Sequence, residues 1–195
     1  MSNICFTTYK VVGCKDDVNK LYETIRDLNA RKIPLVENEW YHPQLWLGCL
    51  VKALGGNPDE VYCRGTITNY EMCDDVLTIS TETSWKEMSE TRHFIETCFP
   101  NLKIYYLEEE EGCERFYTND VNKLYFKERY YLEGFDDNRY FETITEVAEY
   151  VKQIVGRKIE ATFNVVVNAL ETYVNDNEMD NDIYYNLHKF KVVND

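Results

Sequence analysis

The chain has 195 residues, enough for one medium domain with an extension and for a buried core of its own. Hydrophobic residues make up 44% and charged residues 29%, which is the make-up of a folded soluble protein and excludes a largely disordered one. The net charge is −14, from 35 Asp and Glu against 21 Lys and Arg, which argues against direct binding of nucleic-acid phosphates and leaves two uses, plain solubility, the commoner one, and presentation of carboxylates to a basic protein partner.

Residues 4–12, "ICFTTYKVV", are β-rich and end at Gly13, so they are expected to form a strand. Asp16 and Asp17 then stand where a helix N-terminus favours negative charge. Val18, Leu21, Tyr22, Ile25 and Leu28 recur at helical spacing as far as Asn29. The stretch "RKIPLVENEWYHP" reads as an inserted connection, and Pro43 is placed to open a second helix, "QLWLGCLVKAL", that stops at Gly55-Gly56. Residues 61–72 and 76–83 are strand-like on either side of Cys73-Asp74-Asp75, predicting an antiparallel hairpin. In "KEMSETRHFIETCF" a helical wheel puts Met88, Thr91, Phe94, Ile95, Cys98 and Phe99 on one side, and Ser89, Glu90, His93, Glu96 and Thr97 on the other. Pro100-Asn101 ends that helix. Residues 103–109 return as a strand, which turns through Gly112 into "ERFYTN".

This order is strand, helix, strand, strand, helix, strand. It predicts an α+β fold, a ferredoxin-like βαββαβ antiparallel sheet with its helices on one face and an inserted helix. "LYFKERYYL" adds strand-like material. Thr143 with Glu146 is a capping box for a helix carrying Val147, Tyr150, Val151 and Ile154, closed by Gly156. A last helix is expected over residues 160–174, with Phe163, Val166, Val167, Leu170 and Tyr173 on its apolar side. The domain is accordingly expected over residues 1–156, with a C-terminal helical extension over 157–195.

The acidic run at Glu108, Glu109, Glu110, Glu111 and Glu114 admits three readings: a solvated hairpin, a site for a hard cation, or an acid/base pair. Strand alternation puts only Glu108 and Glu110 on one face, which favours the solvated hairpin. Two Glu-x-x-His pairs, Glu39 with His42 and Glu90 with His93, resemble half of a di-iron set. His42 precedes a proline, however, and His93 lies on the polar side of its helix. Asp176, Glu178, Asp180 and Asp182 alternate like an EF-hand, but Asn181 and Leu187 stand where glycine and glutamate are needed. The seven cysteines are odd in number and scattered without a Cys-x-x-Cys pair, as in reduced, mostly buried thiols. Sixteen tyrosines and nine phenylalanines raise base stacking, but those at Tyr105, Tyr106 and Tyr117 are flanked by glutamates, so core and protein contacts are expected instead.

The segments "CRGTITNYEMCDDVLTISTETSW", "FPNLKIYYLEEEEGCERFYTND" and "YFKERYYLEG" together resemble the YubB-type ferredoxin-like proteins of bacterial plasmids, phages and other mobile elements. The resemblance runs over about residues 4–156 and is clearest from Cys63 to Gly134. Its marks are Thr81-Glu82-Thr83-Ser84-Trp85, Phe99-Pro100, Glu110 to Cys113 and Tyr117-Thr118-Asn119-Asp120. Glu111 and Glu114 depart from the family pattern, which places a proline before the glycine matching Gly112 and a second glycine after the cysteine. The resemblance implies the fold and a bacterial, mobile-element setting, and it supplies no catalytic residues.

The sequence therefore points to a non-catalytic binding or regulatory protein. It would act through an acidic, aromatic-bearing surface on another protein, with a basic partner and homo-oligomerisation both as options, and needs no cofactor, metal or catalytic residue. The candidate protein-binding residues are Trp85, Glu108, Glu110, Tyr117, Asn119 and Asp120. Trp40 and Trp46 are further aromatic candidates. The alternative is a metal-assisted hydrolase or small-ligand enzyme using Glu108, Glu110, Asp120 or His93. No membrane-spanning run and no signal-peptide pattern is evident, which makes a cytoplasmic location the expectation.

Overall fold

The computed structural model describes residues 3–37, 44–135, 138–177 and 183–194. The expected helix start at Pro43, the side chain of Trp40, the Glu39–His42 pair and the Glu178 to Asp182 part of the acidic alternation lie outside them. The fold is α+β, and the chain divides into two compact units, Met1–Asp120 and Val121–Asn194. The division falls at Asp120 instead of after Gly156. The reason is that the two C-terminal helices share their core with a strand that precedes them and do not extend the first unit.

The first unit begins with β1 (Ile4–Gly13) and α1 (Lys15–Asn29), followed by α2 (Leu47–Ala53), β2 (Gly65–Cys73), β3 (Val76–Ser84), α3 (Ser89–Cys98), β4 (Leu102–Glu110) and β5 (Arg115–Thr118). Its strands are ordered β2-β3-β1-β4-β5, and each neighbouring pair is antiparallel. Period-two alternation selects one face for burial. Cys5, Thr7, Tyr9 and Val11 of β1 turn inward with Leu77, Ile79, Thr81 and Thr83 of β3. From α1, the buried Val18, Leu21, Ile25 and Leu28 complete this core.

Two elements depart from the sequence expectation, each for a physical reason. Helix α2 starts at Leu47, so residues 44–46 of the expected helix are not part of it, because Leu45 and Trp46 are spent on the edge of β2: Ile67 N–H donates to the Leu45 carbonyl at 2.9 Å, and Trp46 bridges Thr66. Residues 61–64 stay outside β2, since the Tyr62 amide is taken by Glu90 at 3.0 Å and the Tyr62 carbonyl by Thr91 at 2.9 Å. The hairpin at Asp74 and Asp75 forms as expected. Both residues are left-handed, as its two-residue turn requires, and aspartate tolerates that geometry.

The second unit contains β6 (Tyr130–Gly134), β7 (Arg139–Phe141), α4 (Ile144–Val155), α5 (Phe163–Asp176), β8 (Tyr185–Lys189) and the short β9 (Lys191–Val192). The strands β7-β6-β8 form an antiparallel sheet, so the C-terminal region is α+β and not the helical extension expected. Both parts of the Thr143–Glu146 capping box form, and Gly156 closes α4 in the left-handed region. Leu132, Val147, Val151, Val166 and Leu170 build the core of this unit.

At the end of β1 the chain passes close to the turn before β4. A Cβ on Gly13, whose φ is +140°, would run into the Asn101 carbonyl. Replacing Gly13 with alanine is expected to cost about 2 kcal/mol, read as a lowered urea midpoint. An unchanged midpoint would contradict this close approach.

Candidate functional site

The acidic run at the end of β4 splits between the two faces of the sheet. Glu108 and Glu110 do share a face, but it is the covered one, and both are 2% exposed. The reading as a solvated hairpin is therefore corrected, because strand alternation carries Glu108 beneath the segment leading into α3 and folds Glu110 into the turn that its own carboxylate closes. Each of these two carboxylates is satisfied internally. Glu108 accepts from Arg115 Nε at 2.9 Å and from the Glu87 amide at 3.1 Å. Glu110 accepts from the Gly112 and Cys113 amides at 2.9 and 2.8 Å, closing the turn into β5.

A second buried pair lies beside them. Arg92, assigned to neither side of the predicted helical wheel, is buried, and its Nε donates to Glu87 Oε1 at 3.0 Å. Tyr9 OH donates to the same oxygen at 3.2 Å, and the Arg92 guanidinium lies 5.0 Å over the Tyr106 ring. Glu96 of α3 stands 3.8 Å from the same guanidinium and accepts from the Ile104 amide at 3.1 Å. Burial raises the Glu87 carboxyl above the ordinary carboxylate range despite the opposing Arg92 charge, and burial with the nearby Glu87 raises the Tyr9 phenol.

This network has the charges of an active site without room for a substrate. The neighbouring cavity measures about 30 Å³, and its polar lining is limited to Tyr9, Thr81, Thr91 and Arg92. That accommodates a water or two. Burial pushes the Cys5 thiol up to about 12 and the Cys63 thiol to about 11, far from the thiolate that nucleophilic chemistry needs. Among the described residues no three His, Cys, Asp or Glu side chains are grouped to hold a metal ion. His93 is exposed on α3, its Nε2 is 3.2 Å from Arg92 Nη1, and Asp120 is fully buried.

The opposite face of the sheet is different in character. Glu82, Phe6 and Glu109 lie in one row across β3, β1 and β4, since Phe6 pairs with both glutamates. Ile4 and Phe6 remain 54% and 53% exposed, which is unusual for large apolar side chains in the middle of a sheet. A groove of about 250 Å³ runs beside them, walled by Asn3, Glu109, Glu111 and Gly112. Trp85 is 44% exposed and adjoins the start of β1, its amide donating to the Asn3 carbonyl at 3.0 Å.

Of the six residues singled out from sequence, only Trp85 is substantially exposed. Glu108, Glu110, Asn119 and Asp120 are buried, and Tyr117 is half-buried with the Arg115 guanidinium 4.9 Å over its ring. Asn119 is a sheet linker, accepting from the Tyr106 amide at 2.8 Å and donating to the Ile104 carbonyl at 3.0 Å. Trp46 is half-buried against Gly48. The residues missed, Ile4, Phe6, Glu82 and Glu109, were legible only as alternate strand positions; which alternation faces outward depends on where the helices pack. Another groove, of about 440 Å³, follows β2 past Asn29 and Tyr70, but its walls carry no carboxylate or cation.

No protein-family model matches the chain, and comparison with curated proteins gives no match. Among solved structures, a crystal structure of an unknown protein from Galdieria sulphuraria is similar over 97% of this chain and 99% of that one, at 9% identity and a TM-score of 0.26. A likeness at that level carries no argument about fold or function.

The buried pair yields a test with a definite sign. Because the folded-state pKa of Glu87 is raised, its contribution to stability is fully present below the unfolded value, 4.5, and is lost as pH rises through the folded one. Urea unfolding between about pH 4 and pH 7 should therefore show the wild type losing stability relative to Glu87→Gln as pH rises. The opposite slope would mean that Arg92 outweighs burial. Arg92→Met, which strands Glu87, should cost about 3–5 kcal/mol.

Proposed function

We propose that this is a non-catalytic protein-binding or regulatory protein whose partner is basic and docks on the acidic, apolar face around Ile4 and Phe6. The observation that carries the reading is the pair of half-exposed apolar side chains set among Glu82, Glu109 and Glu111 beside an open groove. Exposed apolar area supplies affinity, and the surrounding carboxylates supply orientation and discrimination between partners. The net charge of −14 favours the same class of partner by long-range attraction.

The first unit is read as ferredoxin-like. The support is its element order, with α2 as the insertion between α1 and β2, and the strand order β2-β3-β1-β4 with antiparallel neighbours. A YubB-type assignment and a mobile-element setting rest on the sequence resemblance between Cys63 and Gly134. A cytoplasmic location belongs to the same proposal. Among the described residues no helix is long and apolar enough to cross a membrane.

The test is capture by the immobilised full chain from a bacterial lysate at about 0.05 M salt, repeated near 1 M. A basic protein retained at low salt, released at high salt and lost with the double variant Phe6→Ala, Glu82→Lys is the expected result. Glu171→Lys, which reverses an exposed charge in the second unit, should retain the same partner. Capture that is indifferent to the double variant would refute docking on this face.

A further inference from the structure

We infer that the open edge of β2, at Tyr70 and Met72, takes an extended segment of a basic partner protein as an added antiparallel strand, with a lysine or arginine of that segment facing Glu71. The site is separate from the docking face around Ile4 and Phe6 and shares with that reading only the sign of the partner's charge.

Strand β2 stands at one end of the sheet order, with β3 as its neighbour. The two-residue turn at Asp74 and Asp75 makes Cys73 and Val76 a hydrogen-bonded pair, and such pairs recur at every second residue. Glu71 and Asn69 therefore spend their backbone groups on β3, whereas the N–H and C=O groups of Tyr70 and Met72 point to the open side. The chain itself shows that this edge accepts an added strand. The Ile67 amide donates to the Leu45 carbonyl at 2.9 Å, and Trp46 forms an antiparallel bridge with Thr66. A groove of about 440 Å³ follows the strand from Leu45 past Asn29 to Tyr70, which leaves room for a further segment.

Side-chain chemistry selects the occupant. Glu71 is exposed and pairs with Thr78 on the sheet face opposite the helices, whereas Tyr70 and Met72 pair with Ile79 and Leu77 on the covered face. Lys10, two strands in along the same row, donates to Thr78 Oγ1 at 2.9 Å. A segment hydrogen-bonded to Tyr70 and Met72 sets the residue between its two bonded positions directly opposite Glu71, where a cation is favourable. The bonded positions themselves face the half-buried Tyr70 and Met72 and call for apolar side chains. A second copy of this chain fits poorly. The two-fold register that uses all four backbone groups sets Glu71 against its counterpart, and like charges directly opposite are destabilising. A chain of net charge −14 also repels its copy and attracts a basic segment.

The probe is the peptide acetyl-Thr-Val-Lys-Val-Thr-amide, titrated to millimolar concentration into the isotope-labelled full chain at low salt and followed by amide chemical shifts and hydrogen exchange. In the free chain the Tyr70 and Met72 amides should exchange faster than those of Asn69 and Glu71. The expected result is saturable shifts centred on residues 68–73, with exchange of the Tyr70 and Met72 amides slowed about tenfold at saturation. The peptide with glutamate in place of lysine should bind about fivefold more weakly, and Glu71→Lys should invert that order. Methylating both valine nitrogens keeps every side chain and removes the bonds they donate to β2, so that peptide should not bind. Binding of the methylated peptide equal to that of its parent, or no shifts at residues 68–73 with the lysine peptide, would overturn the edge site. Shifts confined to residues 4–8 and 82 would overturn it while supporting the docking face. Equal binding of the lysine and glutamate peptides, or an unchanged order in Glu71→Lys, would overturn the selection of a cation. Concentration-dependent shifts at residues 68–73 without peptide would place a second copy on the edge and overturn the assignment to a basic partner.

Discussion

The placement of Arg92 under the sheet is the constraint on which the first unit depends. A guanidinium and two glutamates cannot be taken out of water without compensation, and here each charge is met at short range. Arg92 meets Glu87 at 3.0 Å, and Glu108 meets Arg115 at 2.9 Å. The Glu87 amide binds Glu108 and the Tyr9 hydroxyl binds Glu87, so the segment before α3 is tied to both β1 and β4. A slip of β4 by one residue would bring Glu109 and Tyr105 beneath the helix and leave Arg92 facing the wrong groups. The network thus specifies register more than it adds net stability, since an apolar core of equal volume would avoid the desolvation cost altogether.

From this register the outer face follows. If β4 directs Glu108 and Glu110 inward, then Glu109 points outward beside Phe6, and the turn held by Glu110 presents Glu111 at the rim of the groove. The five glutamates that look like one feature along the chain are two features in space. One set holds the fold, and the other adds negative charge to the opposite face of the sheet. The buried acids Glu108 and Glu110 are committed to internal donors, and Glu109 on the opposite face borders Phe6.

Much of this architecture is legible along the chain where the signal is local. The helix at α4 is announced by Thr143 and Glu146, because a capping box involves residues three apart, and α1 by the inward repeat of Val18, Leu21, Ile25 and Leu28. The β2–β3 hairpin is equally local. By contrast, β8 pairs with β6 across more than fifty residues, and nothing in "YNLHK" names its partner. The unit boundary at Asp120 is hidden for the same reason, since it depends on Leu132 finding α4 and α5.

For this protein the sequence by itself determined the alternation of β4, the order of the secondary elements in the first unit, the composition of its surface charge and the capping of α4. All are consequences of near-neighbour geometry or of simple counting. Tertiary structure alone decided that Glu108, Glu110 and Arg92 lie inside while Phe6 and Ile4 lie half outside. Period-two alternation divides a strand into two sets of side chains. Which set is buried is chosen by where distant helices pack, and a charged residue can join that set once its counter-charge arrives from another element.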